Sequence, residues 1–247
     1  MMRYFGLIGK PLEHSFSKSF FDAYFSKHAI KDATFINFEI DDVSELSALV
    51  ESYPNLVGLS VTYPFKEQVI AFLNETDRIA QQIGAVNCIH IQNKQLKGYN
   101  TDYIGFQKSI RPFLSPHHQP ALILGTGGAS KAVQHALKNL NWPFTLVSRN
   151  PTQKNILHYS ELKTAHIEHF KFIINTSPLG MGRLHEQCPT IPYEGIGTSH
   201  FVMDLIYNPE TTLFLLNAQK QGAEVLNGYD MLKFQALESW GIWNTVS

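Results

Sequence analysis

The sequence predicts a two-domain α/β fold, with an N-terminal α/β domain followed by a C-terminal Rossmann-like domain built on a doubly wound parallel sheet. Short β-rich runs alternate with helical stretches along the chain, which is typical of α/β domains. Residues 111–120 contain three prolines, which interrupt any helix and mark a linker. A strand that leads through glycines into a helix follows directly. We therefore predict domains at residues 1–110 and 111–247.

Hydrophobic periodicity defines the elements of the first domain. Runs rich in β-branched and aromatic residues predict strands at residues 4–8, 34–40, 56–61 and 85–91. Apolar residues at helical spacing predict helices at residues 17–28 and 43–50, and a further short helix is expected at residues 65–72. Each helix has one apolar side, so each is expected to pack against the sheet.

The second domain repeats the alternation of strand and helix more regularly. Strands are predicted at residues 121–124, 144–147, 170–174, 202–206 and 224–226. Helices are predicted from the glycines to Leu140, and at residues 211–221 and 229–243. This alternation favours a parallel sheet. Residues 178–199 contain Gly and Pro without a clear period and are expected to form a surface loop. The last helix is long enough to pack back onto the first domain.

Composition limits the class of protein. Hydrophobic residues make up 44% of the chain and charged residues 17%, which supports a globular fold. The 20 Lys and Arg residues balance 21 Asp and Glu residues, so the net charge does not attract nucleic acid or an anionic membrane. No apolar run reaches the ~20 residues that span a bilayer, and no export signal is evident. We therefore expect a cytoplasmic monomer or homodimer whose partner is a small molecule.

Cysteines and histidines do not form a metal-binding pattern. The two cysteines, Cys88 and Cys188, lie far apart and outside any CxxC motif. The pairs at residues 117–118 and at His166 and His169 lack a third ligand nearby in the sequence. These histidines are interpreted as surface residues, and no metal is expected.

A glycine loop is the sharpest motif in the chain. Strand residues 122–124 lead into Gly125, Thr126, Gly127, Gly128 and Ala129, and a helix follows. Glycines allow a tight turn and let backbone N–H groups approach a pyrophosphate, which the helix N-terminus stabilises electrostatically. The pattern therefore predicts a dinucleotide site, and a plain glycine turn is the alternative.

The end of the next strand indicates which dinucleotide binds. A carboxylate there would bind a ribose 2′-hydroxyl, whereas an arginine would accept a 2′-phosphate. The residues present are Ser148, Arg149 and Asn150, with Lys154 nearby. A guanidinium group meets a phosphate with its planar fork, so NADP(H) is favoured over NAD. The alternative is that Arg149 is a solvated loop charge.

Polar runs follow the predicted strands of the first domain. They lie at residues 15–17, 60–66, 84–87 and 98–102. Ligands of open α/β sheets bind at strand ends. These runs combine hydroxyls, amides, one lysine and one aspartate, and so predict a polyhydroxylated substrate.

Together, these runs resemble the shikimate dehydrogenase family over nearly the whole chain. The ordered motifs are the pair Ser15 and Ser17, V-T-x-P-x-K at residues 61–66, G-A-V-N at 84–87, N-T-D at 100–102, the glycine loop, the run at 175–181, and the run at 228–232 followed by Gln235. The resemblance implies NADPH-dependent reduction of 3-dehydroshikimate to shikimate, in the biosynthesis of chorismate and aromatic amino acids. It also implies a first domain for substrate binding and catalysis, a second for NADP, and an active site in the cleft between them.

The resemblance assigns the catalytic roles to Lys66 and Asp102. Hydride delivered to a ketone leaves a developing alkoxide, so a positioned proton donor is required. Lys66 would donate the proton and stabilise the oxyanion, and Asp102 would hold and polarise it. The alternatives are a surface lysine at a helix start and an aspartate that caps a helix.

Further residues are implied in binding. Ser15 and Ser17 would meet the substrate carboxylate, because alternating side chains of an extended loop point the same way; helix capping is their alternative. The resemblance places Thr62, Asn87 and Gln235 at the ring hydroxyls, Tyr207 near the carboxylate, and Thr176, Gly228 and Met231 on the cofactor side.

Two other functions remain open from the sequence. A quinate or dual shikimate/quinate dehydrogenase would share the fold and the pair Lys66 and Asp102. A non-catalytic module that senses nucleotides and metabolites would share the scaffold, although the intact pair argues against it.

Overall fold

The computed structural model describes residues 1–13 and 15–245, and the chain divides into two compact units. Unit 1 comprises Met1–Asp102 and the chain from Gln235 onward, and unit 2 comprises Tyr103–Phe234. Helix α4 covers Asp102–Ile110 and helix α8 covers Tyr229–Trp243. The division between the units therefore falls at the start of α4, whereas the boundary predicted from the sequence follows its end.

Unit 1 contains a six-stranded mixed sheet. Its strands are β1 (Arg3–Gly9), β2 (Ala33–Glu39), β3 (Leu56–Val61), β4 (Glu75–Thr76), β5 (Cys88–Gln92) and β6 (Gln95–Tyr99), in the order β2-β1-β3-β5-β6-β4. Strand β1 pairs in parallel with β2 and β3, and β5 pairs antiparallel with β3 and β6. The helices are α1 (Ser17–Lys27), α2 (Leu46–Ser52) and α3 (Arg78–Ile83).

Both faces of this sheet are covered, because successive side chains of a strand point to opposite sides. Leu59 and Val61 of β3 belong to one core cluster. Gly58 lies on the other face, where a Cβ atom would clash with the Trp243 ring. Trp243 packs with Phe5 and Phe21 and donates from Nε1 to the Ile89 carbonyl at 3.0 Å. The last turn of α8 is thereby part of the unit 1 core.

Several elements of unit 1 differ from the sequence prediction. Strands β4 and β6 were not predicted, and β6 follows β5 through a two-residue turn in which Asn93 and Lys94 both have positive φ. This turn joins the strands without the Asn-Gly signature that usually marks it. The helix predicted at residues 65–72 is reduced to a 3-10 helix at Gln68–Phe72, and α2 begins only after a 3-10 turn at Val43–Glu45.

Unit 2 contains the predicted parallel sheet. Its strands are β7 (Ala121–Leu124), β8 (Phe144–Ser148), β9 (Ile156–His158), β10 (Phe172–Asn175), β11 (Phe201–Asp204) and β12 (Glu224–Leu226), and its other helices are α5 (Gly128–Asn139), α6 (Thr164–His169) and α7 (Leu213–Lys220). The strand order is β12-β11-β10-β7-β8-β9, and every pairing is parallel. This is the order of doubly wound dinucleotide-binding domains, so the prediction of a Rossmann-like sheet is confirmed.

In unit 2, one strand was not predicted and two expectations were wrong. Strand β9 lies in a stretch too short and polar to show a β period. The segment at residues 178–199 is not entirely a surface loop, because Ile191 and Ile196 are buried in the core under it. His118, expected at the surface, is buried and its ring packs near Phe201.

Among the residues that the structure describes, no helix is long and apolar enough to cross a bilayer.

Candidate active site

The site in unit 1 is organised around an ion pair. Lys66 lies in the turn after β3, and Asp102 is the first residue of α4. Lys66 Nζ donates to Asp102 Oδ2 at 2.7 Å. The Asp102 side chain is 7% exposed and the Lys66 side chain 20%. The backbone also holds the Lys66 turn, because the Val86 amide donates to the Lys66 carbonyl at 2.7 Å. The pair is thus anchored at the carboxylate and more accessible at the amine.

Asn87 engages the second carboxylate oxygen. Its Nδ2 donates to Asp102 Oδ1 at 2.8 Å and to Thr101 Oγ1 at 2.9 Å, and its Oδ1 accepts from the Thr101 amide at 2.6 Å. An amide group has two N–H hydrogens, so these short contacts use both. Asn87 is therefore fixed in orientation, and it holds Asp102 on the side away from Lys66.

A chain of hydroxyls connects Asn87 to helix α8. Thr101 Oγ1 lies 3.0 Å from Ser239 Oγ, and Ser239 Oγ donates to the Gln235 carbonyl at 2.9 Å. A hydroxyl has one hydrogen. Because Ser239 uses its hydrogen on the carbonyl, Thr101 must donate to Ser239 and accept from Asn87. We call Asn87, Thr101 and Ser239 the hydroxyl relay. Thr101 and Ser239 are both fully buried.

Gln235 lies beside the same relay and makes longer contacts with it. Its Oε1 lies 3.2 Å from Asn87 Nδ2 and 3.4 Å from Thr101 Oγ1. The oxygen therefore faces the relay. The Nε2 group makes no hydrogen bond to any other residue in the described part of the chain, so it remains a donor for a ligand.

The neighbouring Cys88 has no role as a nucleophile. Burial raises the pKa of its thiol to about 12. A thiol with such a pKa stays protonated near neutral pH, and only the thiolate is a good nucleophile. Cys88 is therefore a small apolar residue of the core.

The predicted carboxylate ligands lie at the start of α1. Ser17 is the first residue of the helix and buried, and Ser15 is half-buried. The expectation of an extended loop was wrong, because Phe16 between them has helical φ and ψ. The Ser17 amide donates to Ser15 Oγ at 3.4 Å, and the N-cap residue, Phe16, makes no side-chain cap. Thr62 is half-buried after β3, and its amide donates to the Ile8 carbonyl at 2.9 Å.

The glycine loop of unit 2 fits a dinucleotide phosphate. Gly125 has φ +117°, and a Cβ atom there would lie 2.7 Å from Thr176 Oγ1. Gly127 precedes the twelve-residue helix α5, and a Cβ on it would have no neighbour within 4 Å. No side chain in the described part of the chain caps this helix, so its first N–H groups have no side-chain acceptor there. Uncapped N–H groups at a helix start suit a phosphate. The other predicted loop residues are Thr126, Gly128 and Ala129.

Two cations follow β8 on the same sheet. Arg149 and Lys154 are exposed, and neither forms an ion pair with another described residue. The Asn150 amide donates to Ser148 Oγ at 3.2 Å, which shapes the turn. Arg149 also acts on Tyr159, whose pKa burial raises to about 12 and the nearby guanidinium partly lowers. The arrangement presents two unpaired cations beside the strand that follows the glycine loop.

The remaining predicted residues of unit 2 lie in three places. Thr176 follows β10, and its Oγ1 donates to the Leu124 carbonyl at 2.9 Å. Tyr207 is half-buried after β11. Gly228 is next to the same segment, because its amide donates to the Ile206 carbonyl at 3.0 Å. Met231 is 7% exposed and packs in the core of unit 2.

Sequence reasoning missed the roles of two residues. Thr101 stands inside the N-T-D motif, yet only its neighbour Asp102 was assigned. Ser239 follows Gln235 by one helical turn, which places both on the same side of α8. That spacing was the available signal for Ser239.

The chain matches one family model, and it is similar to known proteins over nearly its full length. Residues 7–89 match the family model described as the shikimate dehydrogenase substrate binding domain. The chain is 35% identical to a shikimate dehydrogenase (NADP(+)) of Clostridium botulinum, over 96% of this chain and 95% of the relative. The crystal structure of shikimate dehydrogenase from Aquifex aeolicus matches with a TM-score of 0.87 at 33% identity, over 98% of this chain and 92% of that one. The shikimate 5-dehydrogenase of Thermus thermophilus, solved with NADP(H) and shikimate, matches with a TM-score of 0.87 at 25% identity, over 99% and 94%.

Proposed function

Since the chain belongs to the shikimate dehydrogenase family, we propose that it reduces 3-dehydroshikimate to shikimate with NADPH, reversibly, in the biosynthesis of aromatic amino acids. The family inferred from the sequence motifs is confirmed by the relatives. The observation that carries the reaction is the ion pair of Lys66 with Asp102, held from the opposite side by Asn87.

Lys66 is the proton donor in this proposal. NADPH, when bound, supplies the hydride that reduces the ketone. The reduced carbonyl oxygen then requires a proton, and Lys66 Nζ provides it while its charge stabilises the developing alkoxide. Asp102 contributes by fixing Nζ at 2.7 Å. Its more buried position keeps the carboxylate in place, so the exposed side of the amine is the side that meets the substrate.

The other polar groups of unit 1 suit a small polyhydroxylated acid. We assign Ser15 and Ser17 to the substrate carboxylate, and Thr62 and Gln235 to the ring hydroxyls. Gln235 supports this assignment because its amide nitrogen is free while its oxygen faces the hydroxyl relay. Asn87 spends both N–H hydrogens on Asp102 and Thr101. Its strongest contribution is therefore to position the carboxylate.

Unit 2 is assigned to the cofactor. The residues that would hold the pyrophosphate are those of the glycine loop, which leads into the uncapped N–H groups at the start of α5. Arg149 and Lys154 would meet the 2′-phosphate, because both are exposed and free of carboxylate partners in the described chain. This charge placement supports NADP(H) over NAD(H).

A turnover assay of the purified protein tests the proposal. Shikimate and NADP⁺ should give NADPH absorbance, and the same assay with quinate and with NAD⁺ defines specificity. Faster oxidation of quinate than of shikimate would favour the quinate dehydrogenase alternative. Binding of both ligands without any NADPH formed would favour a sensing module and reject the enzyme.

A further inference from the structure

A buried carboxylate in unit 2 has no part in the chemistry described so far. Asp204 is the last residue of β11 and is 0% exposed. Its Oδ1 accepts from Asn175 Nδ2 at 3.1 Å and from the Ile206 amide at 3.0 Å. Its Oδ2 accepts from Thr212 Oγ1 at 2.7 Å. We call Asp204, Asn175 and Thr212 the Asp204 cluster.

The burial of this group is costly. No basic side chain in the described part of the chain forms an ion pair with Asp204, and burial raises the pKa of its carboxyl to about 6, although the three hydrogen bonds act in the opposite direction. A buried carboxylate without a cation destabilises a fold unless its hydrogen bonds compensate. The fold tolerates this cost at the carboxyl edge of a parallel sheet, where ligands bind.

One arm of the Asp204 cluster holds the loop after β10. Asn175 Oδ1 accepts from the Ser177 amide at 3.0 Å and from Ser177 Oγ at 2.7 Å, and its Nδ2 also donates to the Leu179 carbonyl at 3.2 Å. Because Asp204 orients the Asn175 amide, it determines where these donors and acceptors lie. The loop also has backbone hydrogen bonds of its own, such as that from the Thr176 amide to the Leu124 carbonyl at 2.9 Å, and the Asn175 side chain adds a second set that Asp204 orients.

That loop in turn contacts the glycine loop. Thr176 Oγ1 donates to the Leu124 carbonyl at 2.9 Å and lies 2.7 Å from where a Cβ of Gly125 would be. A shift of Thr176 would therefore move the first glycine of the phosphate-binding turn, or open a gap beside it.

The second arm holds the start of α7. Thr212 Oγ1 accepts from the Leu215 amide at 3.3 Å and so caps the helix. Gly180, at the end of the loop after β10, has φ +109°, and a Cβ there would lie 3.2 Å from Thr212 Cγ2. Thr212 therefore lies beside the far end of the same loop, while Asn175 stands at its start.

We propose that Asp204 is a positioning residue for the dinucleotide: through Asn175 and Thr212 it holds the loop at residues 175–180 against the glycine loop in the geometry that binds NADP(H). The inference rests on the proposed function, because it requires that unit 2 binds this cofactor. Asp204 acts through other residues and touches neither hydride nor proton transfer.

The matched pair Asp204→Val and Asp204→Asn tests this role. Valine removes both acceptor oxygens. Asparagine retains an oxygen for Asn175 and Ile206, and its amide can donate to Thr212 Oγ1. Since hydrogen bonds to a charged group are among the stronger ones, we expect Asp204→Val to raise the Kd for NADPH about tenfold or more. The KM for shikimate should stay within about twofold, and Asp204→Asn should bind NADPH almost as wild type does.

The measurements are NADPH titration by fluorescence and steady-state kinetics with each substrate varied. If Asp204→Val does not fold, Thr212→Val against Thr212→Ser replaces it, because only the serine variant keeps the hydroxyl. A folded valine variant with wild-type NADPH affinity, or one in which both KM values rise together, would overturn the inference. A wild-type protein that binds no NADPH would instead reject the proposed function.

Discussion

Lys66 Nζ and Asp102 Oδ2 lie 2.7 Å apart, although the two residues are separated by 36 positions in the chain. Lys66 reaches this position from the turn after β3, and Asp102 reaches it from the start of α4. The exposed fraction is 20% for the lysine side chain and 7% for the aspartate. Asp102 is therefore the fixed member of the pair and Lys66 the accessible one, as expected for a proton donor held by a carboxylate.

Lys66→Ala should lower kcat by ~10²–10⁴, because a positioned proton donor contributes about that factor. The KM for shikimate should change only modestly, since the lysine acts mainly on the developing alkoxide. Steady-state kinetics at saturating NADP⁺ measure both. Lys97→Ala is the matched control, because Lys97 also pairs with a carboxylate, Glu75, but is more exposed. Unchanged turnover in Lys66→Ala would exclude Lys66 as the donor.

Thr101→Val should reduce kcat about tenfold, because one Asn87 N–H loses its partner and Asp102 is held less firmly. Thr101→Ser retains the hydroxyl and should restore most of the activity. Both variants are measured by kcat and by thermal unfolding. If Thr101 were only a core residue, the valine variant would melt earlier but would turn over normally while folded.

Arg149→Leu should weaken NADPH binding much more than NADH binding, because only NADPH has the 2′-phosphate that a guanidinium binds. Fluorescence titration with each nucleotide gives the two dissociation constants. Arg111→Leu, another exposed arginine of unit 2, should leave both unchanged. Equal weakening of both nucleotides by Arg149→Leu would remove this assignment.

Asp204 should make stability depend on pH. Burial raises the pKa of its carboxyl from 3.8 to about 6 in the folded chain. Between these values the folded chain binds more protons than the unfolded chain, so the free energy of unfolding falls as the pH rises from about 4 to about 6. The fall is about 3 kcal/mol for a shift of this size.

Urea unfolding at several pH values checks this dependence. Asp204→Asn does not titrate, so it should lack the contribution and gain stability relative to wild type as the pH rises. If the free energy of unfolding changed with pH in the same way in both proteins, ionisation of Asp204 would not destabilise the folded chain, and the prediction would be wrong.

Gly58→Ala should destabilise unit 1 by about 1–3 kcal/mol, because the added methyl group enters the space of the Trp243 ring and a packed core adjusts poorly. Trp243 is 2% exposed and hydrogen-bonded to Ile89, so the ring has little freedom to move. Chemical denaturation gives the change. Gly241→Ala is the control, because that helical glycine has no neighbour within 4 Å and alanine there should stabilise by up to about 1 kcal/mol. Equal stability of Gly58→Ala and wild type would show that the ring is free to shift.

Local patterns in the sequence determined the class of the fold and much of the cofactor domain. Hydrophobic periodicity reports which face of an element is buried, and glycines after a strand report where a backbone must turn tightly. Both are properties of neighbouring residues, so they are readable without the structure. Strands β4, β6 and β9 were not predicted, because so few residues show too little periodicity to distinguish a strand from a loop.

The tertiary structure alone decided how the polar side chains are paired. Asn87 and Gln235 stand 148 positions apart in the chain, yet Asn87 Nδ2 lies 3.2 Å from Gln235 Oε1. Nothing in the spacing of either motif predicts that contact. The orientation of Asn87, the direction of the hydrogen bonds through Thr101 and Ser239, and the burial of Asp204 all follow from the packing of distant elements. A sequence names the groups that can donate or accept, but only the folded chain brings particular donors within reach of particular acceptors.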